Sequence, residues 1–182
     1  MSKDWAESDV SSLLASAFAP ELAATLNGTA KKDSKKAPTA TIDVLLTFDR
    51  DGVSNHPNHR SLYHGAKNFI QILMKGKEGF TSPVTLYTLT SLSILRKYAG
   101  VLDAPVTMLQ GAWSNLISAF GSKKTGSETG PKRLLFVSSI QEWMTAQSAM
   151  VHGHKSQMVW FRWGWITIGR YMTVNDLKRE KV

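Results

Sequence analysis

The sequence predicts an α+β fold: a single domain with a largely antiparallel sheet packed by two or three helices, preceded by a flexible basic N-terminal arm. Three observations lead there. Apolar residues recur at helical spacing around 59–75 and 105–120, whereas β-branched and aromatic residues crowd 42–48, 84–98, 132–138 and 158–172. The glycine signatures of phosphate loops and dinucleotide folds, which accompany wound parallel sheets, are missing. Residues 27–41 hold no large apolar side chain and carry Lys31, Lys32, Lys35 and Lys36, so they read as a linker. The expected organisation is an arm over 1–40 (short amphipathic helix plus lysine-rich linker), a globular domain over 41–175 and a charged tail over 176–182.

The arm begins with Val10, Leu13, Leu14, Ala17 and Phe18 at helical spacing, with Ser8 or Asp9 placed to cap. So short a helix is marginal alone and needs a surface to pack on. That surface is its own domain, a neighbouring copy or a membrane; for a neighbouring copy, Leu13, Leu14 and Phe18 are the self-association candidates. The domain opens with a strand over 42–48, whose Ile42, Val44, Leu46 and Phe48 share a face. Asp49-Arg50-Asp51-Gly52 is a turn, extended by Ser54-Asn55-His56-Pro57-Asn58. Leu62, Ala66, Phe69, Ile70 and Leu73 then mark an amphipathic helix over 59–75, closed by Lys75-Gly76-Lys77.

In 84–98 the leucines also fit a helix. The Thr and Ser content and the alternation of Val84, Leu86 and Thr88 favour a strand. A loop at 99–105 presents two aliphatics, Val101 and Leu102, expected to be exposed. Val106, Leu109, Trp113, Leu116, Ile117 and Phe120 form one helical face, followed by a polar loop over 121–131 with Lys123 and Lys124. A strand at 132–138 and a short helix at 141–151 lead to Met158–Met172. That stretch holds half of the six tryptophans and reads as a strand, straight or bent at Gly164. The end, from Asn175, is charged and reads as a helix turn or frayed tail.

The chain has 22 basic and 14 acidic residues, a formal charge of +8 and no cysteine. Anionic partners fit that balance, and disulfides and thiolate metal sites are excluded. No apolar run reaches membrane-spanning length, so membrane contact is expected to be peripheral. His56, His59 and His64 cluster in sequence, as do His152 and His154. Zinc needs three or four tetrahedral ligands, and no fourth is evident, so these read as surface or capping histidines and no metal or cofactor is expected. Carboxylate pairs and nucleophile motifs are also missing, and the chain reads as a non-enzyme without catalytic residues.

Set beside one another, a basic chain of 20.1 kDa, a lysine-bearing arm, the order strand 42–48, helix 59–75, strand 84–95 and the apolar loop at Val101-Leu102 resemble the short matrix proteins of plant-infecting rhabdoviruses. The resemblance implies a structural protein that self-associates, condenses the viral ribonucleoprotein and bridges it to a membrane during virion assembly. Lys31, Lys32, Lys35, Lys36, Lys123 and Lys124 would contact anionic lipid or nucleocapsid, and Val101 and Leu102 would serve self-association between neighbouring subunits. The implied partners are the chain itself as homo-oligomer or polymer, the viral ribonucleoprotein, an anionic membrane surface and RNA bound non-specifically. The implied locations are the virion, host cytoplasm and the inner face of a host membrane. Ala37-Pro38-Thr39-Ala40 is a poor echo of the family's Pro-Thr-Ala-Pro budding motif. An RNA-binding nucleocapsid or movement-type protein is the alternative expectation.

Overall fold

The computed structural model describes residues 4–31, 33–121 and 131–182. It is α+β and falls into two compact units: residues 1–91 with 179–182, and residues 92–178.

In the first unit, α1 (Glu7–Phe18) and α2 (Pro20–Leu26) precede β1 (Val44–Phe48), a one-turn α3 (Gly52–Asn55), α4 (Pro57–Met74) and β2 (Thr85–Leu89). β1 and β2 pair in parallel, Val44 opposite Thr85 and Phe48 opposite Leu89, with α4 in the crossover between them. This is a βαβ unit, because parallel neighbours need a long connection and a helix supplies it. The expected antiparallel pairing does not apply to these two strands.

α4 realises the predicted stripe: Ala66, Phe69, Ile70 and Leu73 are buried, and with Ala15, Ala19, Val84 and Leu86 they form the core. α1 is part of that core rather than a detached arm. It lies so close to α4 that a Cβ on Gly65 would come within 2.3 Å of the Val10 Cβ. Asn68 Nδ2 donates to Ser11 Oγ at 3.0 Å, and the Trp5 N–H donates to Ser61 Oγ at 3.1 Å, fastening the pair. On β1 the expected shared face of Ile42, Val44, Leu46 and Phe48 is divided. Val44 and Leu46 are exposed, while Ile42 and Leu45 pack on the core. At the chain's end, the Glu180 carboxylate accepts from Tyr63 Oη at 2.9 Å and Lys67 Nζ at 3.4 Å.

The second unit holds α5 (Ile94–Lys97), α6 (Asp103–Gly121), β3 (Arg133–Val137), α7 (Ile140–Gly153), α8 (Trp160–Ile168) and most of β4 (Val174–Arg179). β3 and β4 are antiparallel, with Arg133 opposite Lys178 and Val137 opposite Val174. Three expectations are corrected here. The strand expected over 84–98 ends at Leu89, and Ile94–Lys97 is helical. The aromatic stretch forms α8 instead of a strand, its backbone polar groups satisfied locally. The charged end is a strand: Val174 and Leu177 are buried, and Asp176 pairs with Arg133 across the ladder.

The apolar face predicted for α6 is also exposed: Val106, Leu109, Trp113, Leu116 and Ile117 all face solvent, while Asp103 and Thr107 are buried. The reason is a polar centre. The fully buried Arg170 guanidinium donates through Nε to Asp103 Oδ2 at 2.5 Å, through Nη2 to Thr107 Oγ1 at 2.8 Å and through Nη1 to the Val174 carbonyl at 3.1 Å. Arg96 adds a two-pronged contact to Asp103, both distances 2.8 Å. Among the described residues, no helix is long and apolar enough to cross a membrane.

Candidate functional site

Ligands of α/β units collect beyond the carboxyl ends of parallel strands. At that end of β1 the chain makes an abrupt turn, Asp49 to His59, before α4. The backbone there is strained. Gly52, Val53 and Asn55 have φ of 59°, 63° and 57°. For a β-branched residue such as Val53 this conformation costs about 1–3 kcal/mol and persists only where surroundings impose it. Gly52 also has no room for a side chain, since its Cβ would lie 3.0 Å from the Cβ of His59.

The turn delivers two imidazoles to the start of α4. His56 is the residue before the helix, in extended conformation, and Pro57 takes the first helical position, where its missing N–H costs nothing. His59 is half-buried one turn on. Its ring lies flat on Phe48, the last residue of β1, with centroids 3.9 Å apart and planes 8° from parallel. The His56 ring meets it edge-on at 5.4 Å. His59 Nδ1 lies 3.1 Å from the Gly52 carbonyl oxygen. A carbonyl can only accept, so Nδ1 carries the proton and the neutral ring keeps its lone pair on Nε2. The first-turn N–H groups of α4, which have no intrahelical acceptor, add a positive partial charge beside the two rings.

This arrangement offers an exposed imidazole, a second one fixed in a single tautomer, and a helix start that favours developing negative charge. Groups of this kind can take up and deliver protons and stabilise a developing anion. For a metal, His56 and His59 are two nitrogen donors of the three or four that zinc needs. Among the described residues no three His, Cys, Asp or Glu side chains converge on one point.

Other residues singled out from the sequence have surroundings of their own. His64 faces Glu7, 3.8 Å from its carboxylate, and His152 Nδ1 lies 2.9 Å from the Ser148 carbonyl oxygen. Lys31 and Lys36 line a cavity of about 900 Å³ between α2 and the far end of α4, together with Leu22, Ile72, Lys75 and Lys77. The 18 residues of α4, at ~1.5 Å each, put the histidine loop about 27 Å away. Lys36 is also engaged with Glu21 at 2.6 Å. Lys35 is exposed. Lys32, Lys123 and Lys124 lie outside the described residues, as does the side chain of Val101. Leu13 and Leu102 are exposed, whereas Leu14 packs against the core and Phe18 is half-buried. Lys31 and Lys36, in the distant cavity, are not brought to the histidine loop.

The chain is similar to a class of amide-cleaving enzymes, de-N-acetylases. The N-acetylglucosaminyl-phosphatidylinositol de-N-acetylase of Arthroderma benhamiae is 56% identical over 197 residues, covering 100% of this chain and 57% of that protein. A probable enzyme of the same name from Schizosaccharomyces pombe is 36% identical over 82% of the chain and 51% of its own length. The Bos taurus enzyme is 33% identical over 75% of the chain and 44% of its own. The chain thus spans about half the length of the curated relatives it matches. No family model and no solved structure matches.

These relatives overturn the reading as a rhabdovirus matrix protein, and with it the nucleocapsid alternative. They are enzymes of cellular organisms, so the expectations of a non-enzyme, of a viral ribonucleoprotein partner at a membrane surface and of a place in the virion are corrected together. Size, charge and element order, which carried the resemblance, are shared by many unrelated proteins. His56-Pro57-Asn58-His59 lies between a strand and an amphipathic helix. It was legible as a pattern, but its placement at the carboxyl end of a parallel pair was not.

Proposed function

We propose that this chain carries acid–base machinery of a de-N-acetylase acting on N-acetylglucosaminyl-phosphatidylinositol. In the reaction, water adds to the acetamide carbon, the C–N bond breaks, and acetate and the free amino sugar leave. His59 Nε2 takes the proton of the attacking water. Once His59 is protonated, that proton passes to the departing amine nitrogen, so one group serves as base and then as acid. His56, exposed beside it, binds and orients the sugar end, and the start of α4 faces the oxyanion that forms during attack. The reading rests on one observation above the rest. A chain similar over its whole length to a named de-N-acetylase holds His59 in a single tautomer, at the strand end where ligands collect.

The test is a chimera in which this chain replaces the matching span of the Arthroderma benhamiae enzyme. Acetate release from N-acetylglucosaminyl-phosphatidylinositol in detergent is expected to persist, and to disappear with His59→Ala. A folded chimera that releases no acetate, or one indifferent to His59→Ala, would overturn the reading.

A further inference from the structure

His59 is set by the Gly52 carbonyl, so whatever fixes the Gly52 peptide also fixes the imidazole. Asp49 is the first such element. Its Oδ1 accepts from the Gly52 N–H at 3.0 Å and the Asp51 N–H at 3.1 Å, an Asx-type turn closing the end of β1. The second element comes from the other strand. Ser91 lies two residues past β2, 42 positions away in sequence. Its hydroxyl donates to Asp49 Oδ1 at 2.6 Å, its own N–H donates to Asp49 Oδ2 at 2.6 Å, and its oxygen accepts from the Val53 N–H at 2.7 Å. Ser91 thus grips both ends of the Gly52-Val53 turn, through the carboxylate on one side and the strained Val53 peptide on the other. Asp49 and Ser91 are both half-buried, where charge-assisted hydrogen bonds are strong.

We propose that Ser91, acting through Asp49 and the Val53 peptide, is a positioning residue that locks the tautomer and the aim of His59. The βαβ connection places the ends of β1 and β2 side by side, so a hydroxyl on one can tie the loop of the other. That bond holds Val53 at positive φ and keeps the Gly52 carbonyl pointed at Nδ1. Without it the turn relaxes, the carbonyl turns away, and His59 exchanges between its two neutral tautomers. The catalytic consequence rests on the de-N-acetylase reading, but the tautomer itself does not.

Two measurements separate them. In the 182-residue chain labelled with ¹⁵N-histidine, His59 should show the Nδ1–H tautomer alone. Ser91→Ala should give a mixture, and Ser91→Thr, which keeps the hydroxyl, should restore the single form. In the chimera, Ser91→Ala should lower kcat by about 10- to 100-fold, the cost of a small misplacement, with KM nearly unchanged. Asn68→Ala, which removes a hydrogen bond to Ser11, serves as the control for general destabilisation and should leave the tautomer alone. Should Ser91→Ala not fold, Asp49→Asn, which cannot accept the Ser91 N–H at Oδ2, replaces it with the same expected direction. A folded variant that keeps the single tautomer overturns the proposal whatever its activity. A mixed tautomer with unchanged kcat overturns the catalytic half and leaves the positioning intact. A wild-type chimera that is inactive counts against the de-N-acetylase reading alone.

Discussion

Phe48 and His59 lie face to face, 3.9 Å apart and 8° from parallel. The last side chain of a strand is thereby the floor on which a helix-borne imidazole rests. Stacked rings contribute about 0.5–1.5 kcal/mol beyond their buried area, and the flat contact also limits ring rotation. Phe48→Leu should keep the fold, cost about 1 kcal/mol in thermal stability and broaden the His59 ring resonances. Unbroadened resonances would show that the Gly52 carbonyl alone holds the ring.

His56 and His59 should differ in what they do when replaced. His59→Ala removes the proton carrier and should lower kcat by about 10²- to 10⁴-fold. His56→Ala removes an exposed group and should act mainly on KM. Steady-state kinetics on the chimera decide it, and equal effects on both parameters for both variants would assign the residues no separate roles.

Gly65 is where α1 and α4 touch. Gly65→Ala puts a methyl 2.3 Å from the Val10 Cβ. Backbone must move, and overpacking of this kind costs about 1–3 kcal/mol. Hydrogen exchange should quicken in α1 before it quickens in β1 or β2. Uniform exchange would show that α1 is dispensable to the core.

Asp103 links the second unit's stability to acid. Burial opposes its ionisation, but hydrogen bonds from Arg96, Thr107 and Arg170 outweigh burial and hold its carboxyl below the usual carboxylate value. A depressed native value stabilises the fold above the ordinary carboxylate pKa, about 4, and that contribution fades as pH falls through the native one. Acid unfolding should therefore steepen below about pH 4 in the wild type and flatten in Asp103→Asn. At neutral pH the same variant should lose about 3–5 kcal/mol, because Arg170 stays buried with its charge uncompensated. Circular dichroism against pH for both proteins checks the two expectations.

Much of the local structure was legible in residue patterns. The stripe of Leu62, Ala66, Phe69, Ile70 and Leu73 marked α4, since a period of 3.6 leaves few alternatives over so long a run. Runs of β-branched and large apolar residues located β1 and β3. α8 was not legible, because aromatic β-preference reflects packing in a sheet more than the backbone, and Trp160–Ile168 closes its own hydrogen bonds as a helix. β4 was hidden by its charges: Asp176 is buried only because Arg133 stands across the ladder to meet it.

The order strand, helix, strand over 42–89 is compatible with a parallel pair as well as an antiparallel one, and absent glycine motifs argue against nucleotide binding without arguing against βαβ. The amino-acid sequence by itself located α1, β1, α4, the start of β2 and the His56-Pro57-Asn58-His59 turn, because periodicity and turn chemistry act over a few residues. The tertiary structure alone decided that β1 and β2 run parallel, that α1 belongs to the core, and that Asp49, Ser91, Gly52 and Phe48 meet around His59. Those contacts join residues up to 57 positions apart, and only packing an element against its distant neighbour creates them.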